Sequence, residues 1–179
     1  MDIRKGILKQ TDFKNQLNEF HFDKEMNNLI VCMSTGLLNF YDAKTLNLST
    51  PIVSLEAHFA PVHSLTIEPK NQVFATAGAD ALICLWDLNE LISFKVLRKG
   101  ESSIRKIIFS HDSRFIASIS EESCVDLYDI EVGECVHSII CKSIQNSIAW
   151  NPKSLLLAYC GEEKNRNNVD DGSIHIFGL

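Results

Sequence analysis

Three residues whose side chains can carry acid–base and nucleophilic chemistry lie near one another in the chain: His58, Thr76 and Asp80. A carboxylate that orients an imidazole, which in turn activates a hydroxyl, is the arrangement of a catalytic triad. The same groups, joined by the indole of Trp86, could instead form structural hydrogen bonds, because a buried carboxylate or imidazole must be paired or it costs several kcal/mol. An enzyme site and a structural relay are therefore the rival interpretations.

The segment that holds these residues favours the structural interpretation. In FATAGADALICLWDL, residues 74–88, one apolar run ends at Gly78, Asp80 follows in a short turn, and a second apolar run ends at Trp86-Asp87. This pattern predicts a β-hairpin. No G-x-S-x-G nucleophile elbow and no oxyanion motif accompanies it. The sequence therefore predicts a protein that is not an enzyme.

The hairpin belongs to a repeated unit. Runs of four to eight residues rich in β-forming side chains extend from LTIEP to LISFKVLR, and again from RKIIFSHDS to ECVHSIICK. Aromatic–acid pairs recur at Tyr41-Asp42, Trp86-Asp87 and Tyr128-Asp129, at intervals of 45 residues (41 to 86) and 42 residues (86 to 128). This period, with four strands per unit, predicts an all-β fold of the WD40 β-propeller type.

About four blades are expected in the 179 residues, as a single propeller segment over 1–179. The interval from Tyr128 to Phe177 is longer than the others because of the insertion EEKNRNNVDDG, which we expect to be a solvated loop between two strands. The expected repeats span approximately 11–54, 55–98, 99–141 and 142–179, and residues 1–10 are expected to supply the outer strand of a preceding or closing blade.

The second unit resembles the WD repeat in its polar residues as well. In WD repeats an Asp in the turn between the second and third strands bonds a His near the start of the unit. That His bonds a Ser or Thr on the second strand, which bonds the Trp indole. The resemblance assigns Asp80, His58, Thr76 and Trp86 to a structural relay. The other units resemble decayed versions, with Phe13 and Tyr41 in the first, Gly100, Ser118, Glu122 and Tyr128 in the third, and Cys141 and Phe177 in the fourth.

Longer stretches resemble one family of WD-repeat proteins. FATAGADALICLWDLNEL, FSHDSRFIASISEESCVDLYDIEVGE, IAWNPKSLLLAY and IHIFGL are similar, in this order, to the C-terminal portion of the THO complex subunit 3 family, the WD-repeat subunits of the THO/TREX mRNA export complex. The resemblance implies a seven-bladed propeller, so that this chain is a partial ring and a segment of a longer protein. It also implies a scaffold in the nucleus that couples transcription to mRNP assembly and mRNA export. Its partners would be the large helical THO/TREX subunits, and RNA would be contacted only indirectly.

Composition excludes several other classes of protein. The net charge of −6 and the pI of about 5.5 argue against a surface that grips nucleic acid by itself. The basic cluster Arg98, Lys99, Arg105 and Lys106 is interpreted as a solvated turn. No apolar segment reaches the roughly 20 residues of a membrane helix, and no secretory signal is recognised, so no membrane contact is expected. Six cysteines without C-x-x-C spacing predict reduced core thiols, and no metal, cofactor or small-molecule substrate is expected.

The expected partner-binding residues lie at one end of the central channel. In WD propellers this face is lined by the start of each unit's first strand, which assigns His63, Arg105 and Asn146, with Phe59 and Pro61 on the approaching loop. Phe59 either anchors a partner or packs between blades. Two other functions stay open, namely a WD40 adaptor of another complex (a ubiquitin ligase receptor or a chromatin-associated scaffold) and a direct RNA-binding protein.

Overall fold

The computed structural model describes residues 10–25, 27–45, 47–164 and 170–179, with the backbone alone at 162–164, 170 and 171. These ranges hold fifteen β-strands and no α-helix. The expected all-β class is confirmed. Within the same ranges, no helix is present that is long and apolar enough to cross a membrane.

The strands form four antiparallel sheets, and each sheet is built from consecutive strands joined by turns. The first strands of successive sheets contact one another, which places them side by side on the inside of the arc and the last strands at its rim. The first sheet comprises β1 (Leu17–Phe22), β2 (Asn28–Met33), β3 (Leu37–Asp42) and β4 (Val53–Glu56); the second β5 (Val62–Ile67), β6 (Val73–Gly78), β7 (Ile83–Asp87) and β8 (Ser93–Leu97); the third β9 (Ile104–Phe109), β10 (Phe115–Ser120), β11 (Cys124–Asp129) and β12 (Glu134–Ile140); and the fourth β13 (Gln145–Trp150), β14 (Leu156–Lys164) and β15 (Asp170–Gly178).

Apolar side chains fill the three spaces between successive sheets. The sheets are buried on both faces there, so their strands read as nearly continuous apolar runs, as in IASIS and ICLW. This face-to-face packing makes the sheets consecutive blades of a β-propeller. The cores contain, among others, Leu38, Leu65 and Phe74 between the first and second sheets, Leu85, Ile107 and Tyr128 between the second and third, and Leu127, Ile148 and Leu157 between the third and fourth.

Polar side chains on the inner strands also link neighbouring sheets. The side-chain amide of Asn18 donates to the carbonyl of Val62 at 2.8 Å. The backbone N–H of Leu65 donates to the carboxylate of Glu19 at 2.6 Å, and that of Ile107 donates to the hydroxyl of Ser64 at 3.2 Å. The inner edges of the first and second sheets, and of the second and third, are therefore tied together through side-chain to backbone hydrogen bonds.

Gly36 joins the first sheet to the loop that precedes the second. It has a φ of +88°, and a Cβ at this position would collide with the carbonyl oxygen of His58. Its own carbonyl accepts the backbone N–H groups of Ala57 and His58, each at 3.1 Å. Only glycine combines this left-handed backbone with so close an approach. The turn thereby fixes the loop that carries His58.

The insertion at 162–172 differs in part from the expected solvated loop. The β14–β15 ladder continues into it, with Glu162 opposite Gly172 and Lys164 opposite Asp170. Backbone pairing therefore extends through residues whose charges indicated a loop, because a hairpin ladder tolerates polar side chains where its faces meet solvent. The expected outer strand at 1–10 falls almost wholly on residues 1–9, which lie outside the described ranges.

Candidate functional site

Four side chains of the second sheet form a continuous chain of hydrogen bonds. Asp80, in the β6–β7 turn, lies 2.9 Å from Nδ1 of His58 through its Oδ2 atom. Nε2 of His58 lies 2.9 Å from the hydroxyl of Thr76, and the indole N–H of Trp86 donates to that hydroxyl at 2.9 Å. The structure thus brings together the four residues that the WD-repeat resemblance assigned to a relay.

The partners limit which atoms can donate in these bonds. The indole of Trp86 can only donate and the Asp80 carboxylate can only accept, so the Thr76 oxygen accepts from the indole and Nδ1 of His58 donates to Asp80. The Thr76 hydroxyl carries one hydrogen and can donate it to Nε2 of His58. With that arrangement every polar hydrogen in the chain of bonds has an acceptor.

Burial distinguishes the relay from a catalytic triad. Thr76 is completely buried, and so is the side chain of His58. A nucleophile must reach its substrate, whereas these groups face the interior of a blade. The arrangement can hold two strands, the turn between them and the loop that carries His58 in register.

The other sheets replace the relay with other contacts. In the first sheet Phe13 packs edge-on against Tyr41, with ring centroids 5.9 Å apart, so an aromatic pair takes the place of the histidine and tryptophan. In the third sheet, Gly100 stands in place of the histidine, and the Glu122 carboxylate lies beside it. Tyr128 stands in place of the tryptophan, and burial raises the pKa of its hydroxyl above the usual range. In the fourth, Phe177 stacks against His137 at 5.2 Å. An apolar or aromatic replacement of both partners leaves no buried polar group unpaired.

The acid of each aromatic–acid pair closes the turn that follows its strand. Oδ1 of Asp42 accepts the backbone N–H groups of Lys44 and Thr45. Oδ1 of Asp87 likewise accepts the backbone N–H groups of Asn89 and Glu90. Asp129 accepts from Glu131 and Val132 at 2.9 and 3.1 Å, and its other oxygen lies 3.2 Å from Nε of Arg114. These acids are Asx-turn residues that favour a tight connection to the outer strand.

Low pH should destabilise the fold, because these turns are held by ionised aspartate side chains. The backbone N–H of Val132 and, after it, the Arg114 side chain hold the pKa of Asp129 below its usual value of 3.8. A carboxyl with a lowered pKa in the folded state stabilises the protein above its unfolded-state pKa, and this contribution is lost as the pH falls through the folded-state value. We therefore expect the free energy of unfolding to fall below about pH 4. In urea titrations at several pH values, the loss in free energy of unfolding caused by Asp129→Asn should become smaller as the pH falls, because the wild-type carboxyl is then protonated.

Glu131→Gln is the matched control for this prediction. This substitution also removes one negative charge, two residues after Asp129. The Glu131 side chain is exposed and accepts no turn hydrogen bond. Its stability should follow that of the wild type across the whole pH range. A constant deficit of Asp129→Asn from neutral to acid pH would contradict a role for the Asp129 charge.

Two features of the site were missed from the sequence. A polar side chain follows the first strand of every sheet and accepts backbone N–H groups of the next turn; these are Asp23, Glu68, Ser110 and Asn151. Their recurrence directly after each first strand was the available signal. The second feature is an ion pair between Lys99 and Asp126, with Nζ and Oδ1 2.6 Å apart. Lys99 is exposed in the connection between the second and third sheets, and the ion pair is a contact that the solvated-turn interpretation did not include.

The expected partner-binding residues do not form one site. His63 and Arg105 both line a cavity of about 410 Å³, together with Gln16, Leu17, Asn18, Ser103 and Glu121. Phe59 is fully exposed at 104%, and it borders a separate cavity of about 400 Å³ beside Glu56 and His58. The alternative in which Phe59 packs between blades is therefore wrong. Asn146 is exposed on β13 and lines neither cavity, and Pro61 contributes its carbonyl to the β6–β7 turn.

Metal and thiol chemistry find little support among the described residues. No three histidine, cysteine, aspartate or glutamate side chains converge on a common point within the described residues. The six cysteines, all of which lie in those ranges, form no disulfide. Burial raises the pKa of Cys84 and of Cys124 to about 11, and it raises that of Cys32 further. These three thiols are packed as small apolar side chains.

Comparison with known proteins identifies the repeat. Residues 65–153 match the family described as the Anaphase-promoting complex subunit 4 WD40 domain. The chain is 33% identical to THO complex subunit 3 of Arabidopsis thaliana over its whole length, which is 56% of that relative. It is 32% identical to WD repeat-containing protein AAC3 of Dictyostelium discoideum over 91% of the chain and 34% of the relative. It is 26% identical to the U5 small nuclear ribonucleoprotein 40 kDa protein of the same organism over 75% of the chain and 39% of that relative.

The chain spans about half, or less, of the length of these curated relatives. The matches agree with the four antiparallel sheets and with the polar residues that the second sheet brings together. The four sheets are therefore consecutive blades of a partial WD40 β-propeller, and the chain is similar to WD40-repeat proteins.

Proposed function

We propose that this protein is a non-enzymatic scaffold of a nuclear THO-type assembly that couples transcription to mRNP assembly and mRNA export. The observation that carries the proposal is the 33% identity with THO complex subunit 3 of Arabidopsis, which extends over the whole chain. The acidic net charge of −6 supports contact with RNA through partner subunits. Rigid blades that present loops are well suited to hold several proteins at once.

The proposed contact surface is the loop end of the second and third sheets. Phe59 offers a fully exposed ring, and an exposed aromatic side chain can bury a large area in a partner's pocket at little entropic cost. Arg105 is half exposed, and its guanidinium lies 3.6 Å from the Glu121 carboxylate, a loose pair that a partner's carboxylate could replace. His63 lines the same cavity as Arg105, and the cavity that Phe59 borders is a separate one. We propose that the large helical THO subunits bind here.

Affinity purification tests the proposal. The tagged protein, recovered from nuclease-treated nuclear extract, should bring the large THO subunits with it, as identified by mass spectrometry. Phe59→Ala and Arg105→Glu should each lower their recovery roughly tenfold, the effect of losing a central contact residue. Phe94→Ala and Lys70→Glu are matched controls, because Phe94 is exposed on β8 and Lys70 is exposed in the β5–β6 turn, both outside the proposed surface, and these variants should leave recovery unchanged.

A scaffold in another complex is the second candidate. It is favoured by matches at lower identity to subunits of different assemblies, such as the U5 ribonucleoprotein protein. Recovery of another complex without THO subunits would support this candidate and overturn the first. Recovery of RNA by the purified chain alone, with a steep dependence on salt, would instead indicate direct RNA binding.

A further inference from the structure

A cavity of about 380 Å³ lies where the inner strands of the four sheets end. The first sheet contributes Lys24 from the β1–β2 turn, and the third contributes His111 from the β9–β10 turn. The rest of the wall is mainly apolar and includes Ile67, Pro69, Ile108, Trp150 and Pro152. All these residues lie inside the arc, so the cavity does not depend on what packs against the outer faces of the first and fourth sheets.

This cavity lies at the opposite end of the inner strands from the cavity that contains His63 and Arg105. His63 and Arg105 are the second residues of β5 and β9, whereas Ile67 is the last residue of β5 and Ile108 the last but one of β9. Each end of the inner strands therefore has its own cavity. A ligand at this one would not compete with a partner bound at the loop end.

Hydrogen bonds between the sheets hold the cavity wall in place. The indole N–H of Trp150 donates to the carbonyl of Ile108 at 3.3 Å, which ties the fourth sheet to the third. The backbone N–H of Lys24 donates to the side chain of Asn71 at 3.1 Å, and its ammonium group donates to the carbonyl of Pro69, which ties the first sheet to the second. A ligand would therefore meet a preformed site, and preformed sites lose little conformational freedom on binding.

The charges at the cavity favour an acidic ligand. None of the described residues that line it is acidic, although acidic residues outnumber basic ones by 23 to 17 in the chain. The neighbouring carboxylates of Asp23, Glu68 and Asp112 accept backbone N–H groups of their own turns. The ammonium group of Lys24 is bonded to a neutral carbonyl, and a carboxylate is a stronger acceptor for it.

His111 supplies a second group that can bind a carboxylate. Its Nδ1 atom is buried, and within the described residues it has no hydrogen-bond partner. A buried nitrogen without a partner costs free energy, and such exceptions are rare in native proteins. The imidazole can turn about χ2, whose preferences are broad, and a protonated ring nitrogen that faces the cavity can donate to a carboxylate.

We propose that this cavity binds a segment of a partner protein in which a large apolar side chain stands next to an Asp or Glu. The apolar wall would receive the first side chain, whose burial favours binding. Lys24 and His111 would bind the carboxylate and fix the register of the segment. The volume of about 380 Å³ lies within the range of ligand cavities, which is about 300–1,000 Å³.

The same features disfavour nucleic acid as the ligand. A phosphate backbone is bound by several Lys or Arg side chains, whereas Lys24 is the one such residue among the described residues of the cavity wall. Trp150 is only 9% exposed and bonded through its indole, so its ring is not available to stack on a base. A peptide with one apolar and one acidic side chain matches both parts of the wall.

Selection from a phage-displayed library of random twelve-residue peptides tests the proposal. The bait is the immobilised full-length protein, and phage that also bind the Lys24→Glu variant are removed. The enriched peptides should share a Leu, Ile, Met or Phe beside an Asp or Glu. A fluorescent synthetic copy of the enriched peptide should lose affinity roughly tenfold when its acid is replaced by the amide, and roughly tenfold when its apolar residue is replaced by Ala.

Variants of the protein test the assigned residues with the same fluorescent peptide. Lys24→Glu and His111→Ala should each weaken binding roughly tenfold, whereas Lys24→Arg, which keeps the cation, should retain most of the affinity. Lys44→Glu is the matched control, because Lys44 is exposed in the β3–β4 turn and does not line the cavity. Its affinity for the peptide should equal that of the wild type. Far-ultraviolet circular dichroism establishes that each variant is folded.

Three results would overturn the proposal. The first is a selection that yields no peptide dependent on Lys24, and the second is an enriched set without acidic residues. The third is equal loss of affinity in Lys24→Glu and Lys44→Glu, which would mean that the peptide responds to overall charge and not to the cavity. Binding of a twelve-nucleotide oligouridine that Lys24→Glu abolishes, without any enriched peptide, would assign the cavity to RNA instead.

Discussion

Replacement of Asp80 by alanine should lower the free energy of unfolding by about 1–3 kcal/mol. The substitution removes the acceptor of the Nδ1 proton of His58, whose side chain is fully buried, and also the acceptor of the Leu82 backbone N–H. The Nδ1 donor of a buried imidazole then loses its carboxylate acceptor. Urea unfolding at neutral pH measures the change, and the dependence on urea should stay the same, because the folded surface is unaltered.

Three further variants separate the hydrogen bond from the volume of the side chain. Asp80→Asn should lose less, because its amide oxygen can still accept from His58. Thr76→Val conserves shape but leaves both the Trp86 indole and Nε2 of His58 unpaired, so its loss should equal or exceed that of Asp80→Ala. Asp12→Ala, at an exposed position, should stay within about 0.5 kcal/mol of the wild type. Unchanged stability of Asp80→Ala would contradict the structural role of the relay.

The sequence predicted those features that depend on the residues of a single strand or a single repeat. Runs such as ICLW and IASIS are apolar and β-branched, and they form strands because a blade is buried on both faces. The resemblance to the WD repeat assigned His58, Thr76, Asp80 and Trp86 to a relay, and all four are joined in the structure. Local pattern sufficed because every member belongs to one unit and to the loop that enters it.

Contacts between units were beyond the reach of the same argument. Phe59 and His63 are four residues apart, yet they border different cavities, because the chain turns between them. Asn18 lines the same cavity as His63 and Arg105, and it occupies the corresponding position on the first strand of its sheet. It was not predicted, because the first unit lacks the polar relay residues by which the units were aligned. Hydrogen-bond partners that lie a full repeat apart depend on the register between sheets, and no local pattern encodes that register.

Lys99 and Asp126 show why such a contact matters. Lys99 follows the outer strand of the second sheet, and its ammonium group lies 2.6 Å from the carboxylate of Asp126 and 2.8 Å from the hydroxyl of Ser138 in the third. Although burial opposes the charged form, the hydrogen bond and the charge of Asp126 raise the pKa of Lys99. In the first sheet the uncharged Asn39 occupies the position of Asp126 and bonds the hydroxyl of Ser54. The acid in the third sheet therefore depends on the cation that the second sheet supplies.

Lys99→Met should lower the free energy of unfolding by about 1–3 kcal/mol, because it leaves the carboxylate of Asp126, only 10% exposed, without its cation. Breaking a fully buried pair costs about 3–5 kcal/mol, and solvent screening at Lys99, which is 35% exposed, reduces that figure. Asp126→Asn should restore much of the loss in the Lys99→Met background, since the neutral amide needs no cation, and urea unfolding of the four proteins gives the coupling energy. Arg98→Met, which removes a neighbouring cation from an exposed 3.7 Å pair, should change stability by less than about 0.5 kcal/mol. If Lys99→Met were no less stable than Arg98→Met, the Lys99–Asp126 pair would be a surface contact, and the second and third blades would be held together by their apolar core and by the remaining hydrogen bonds between them.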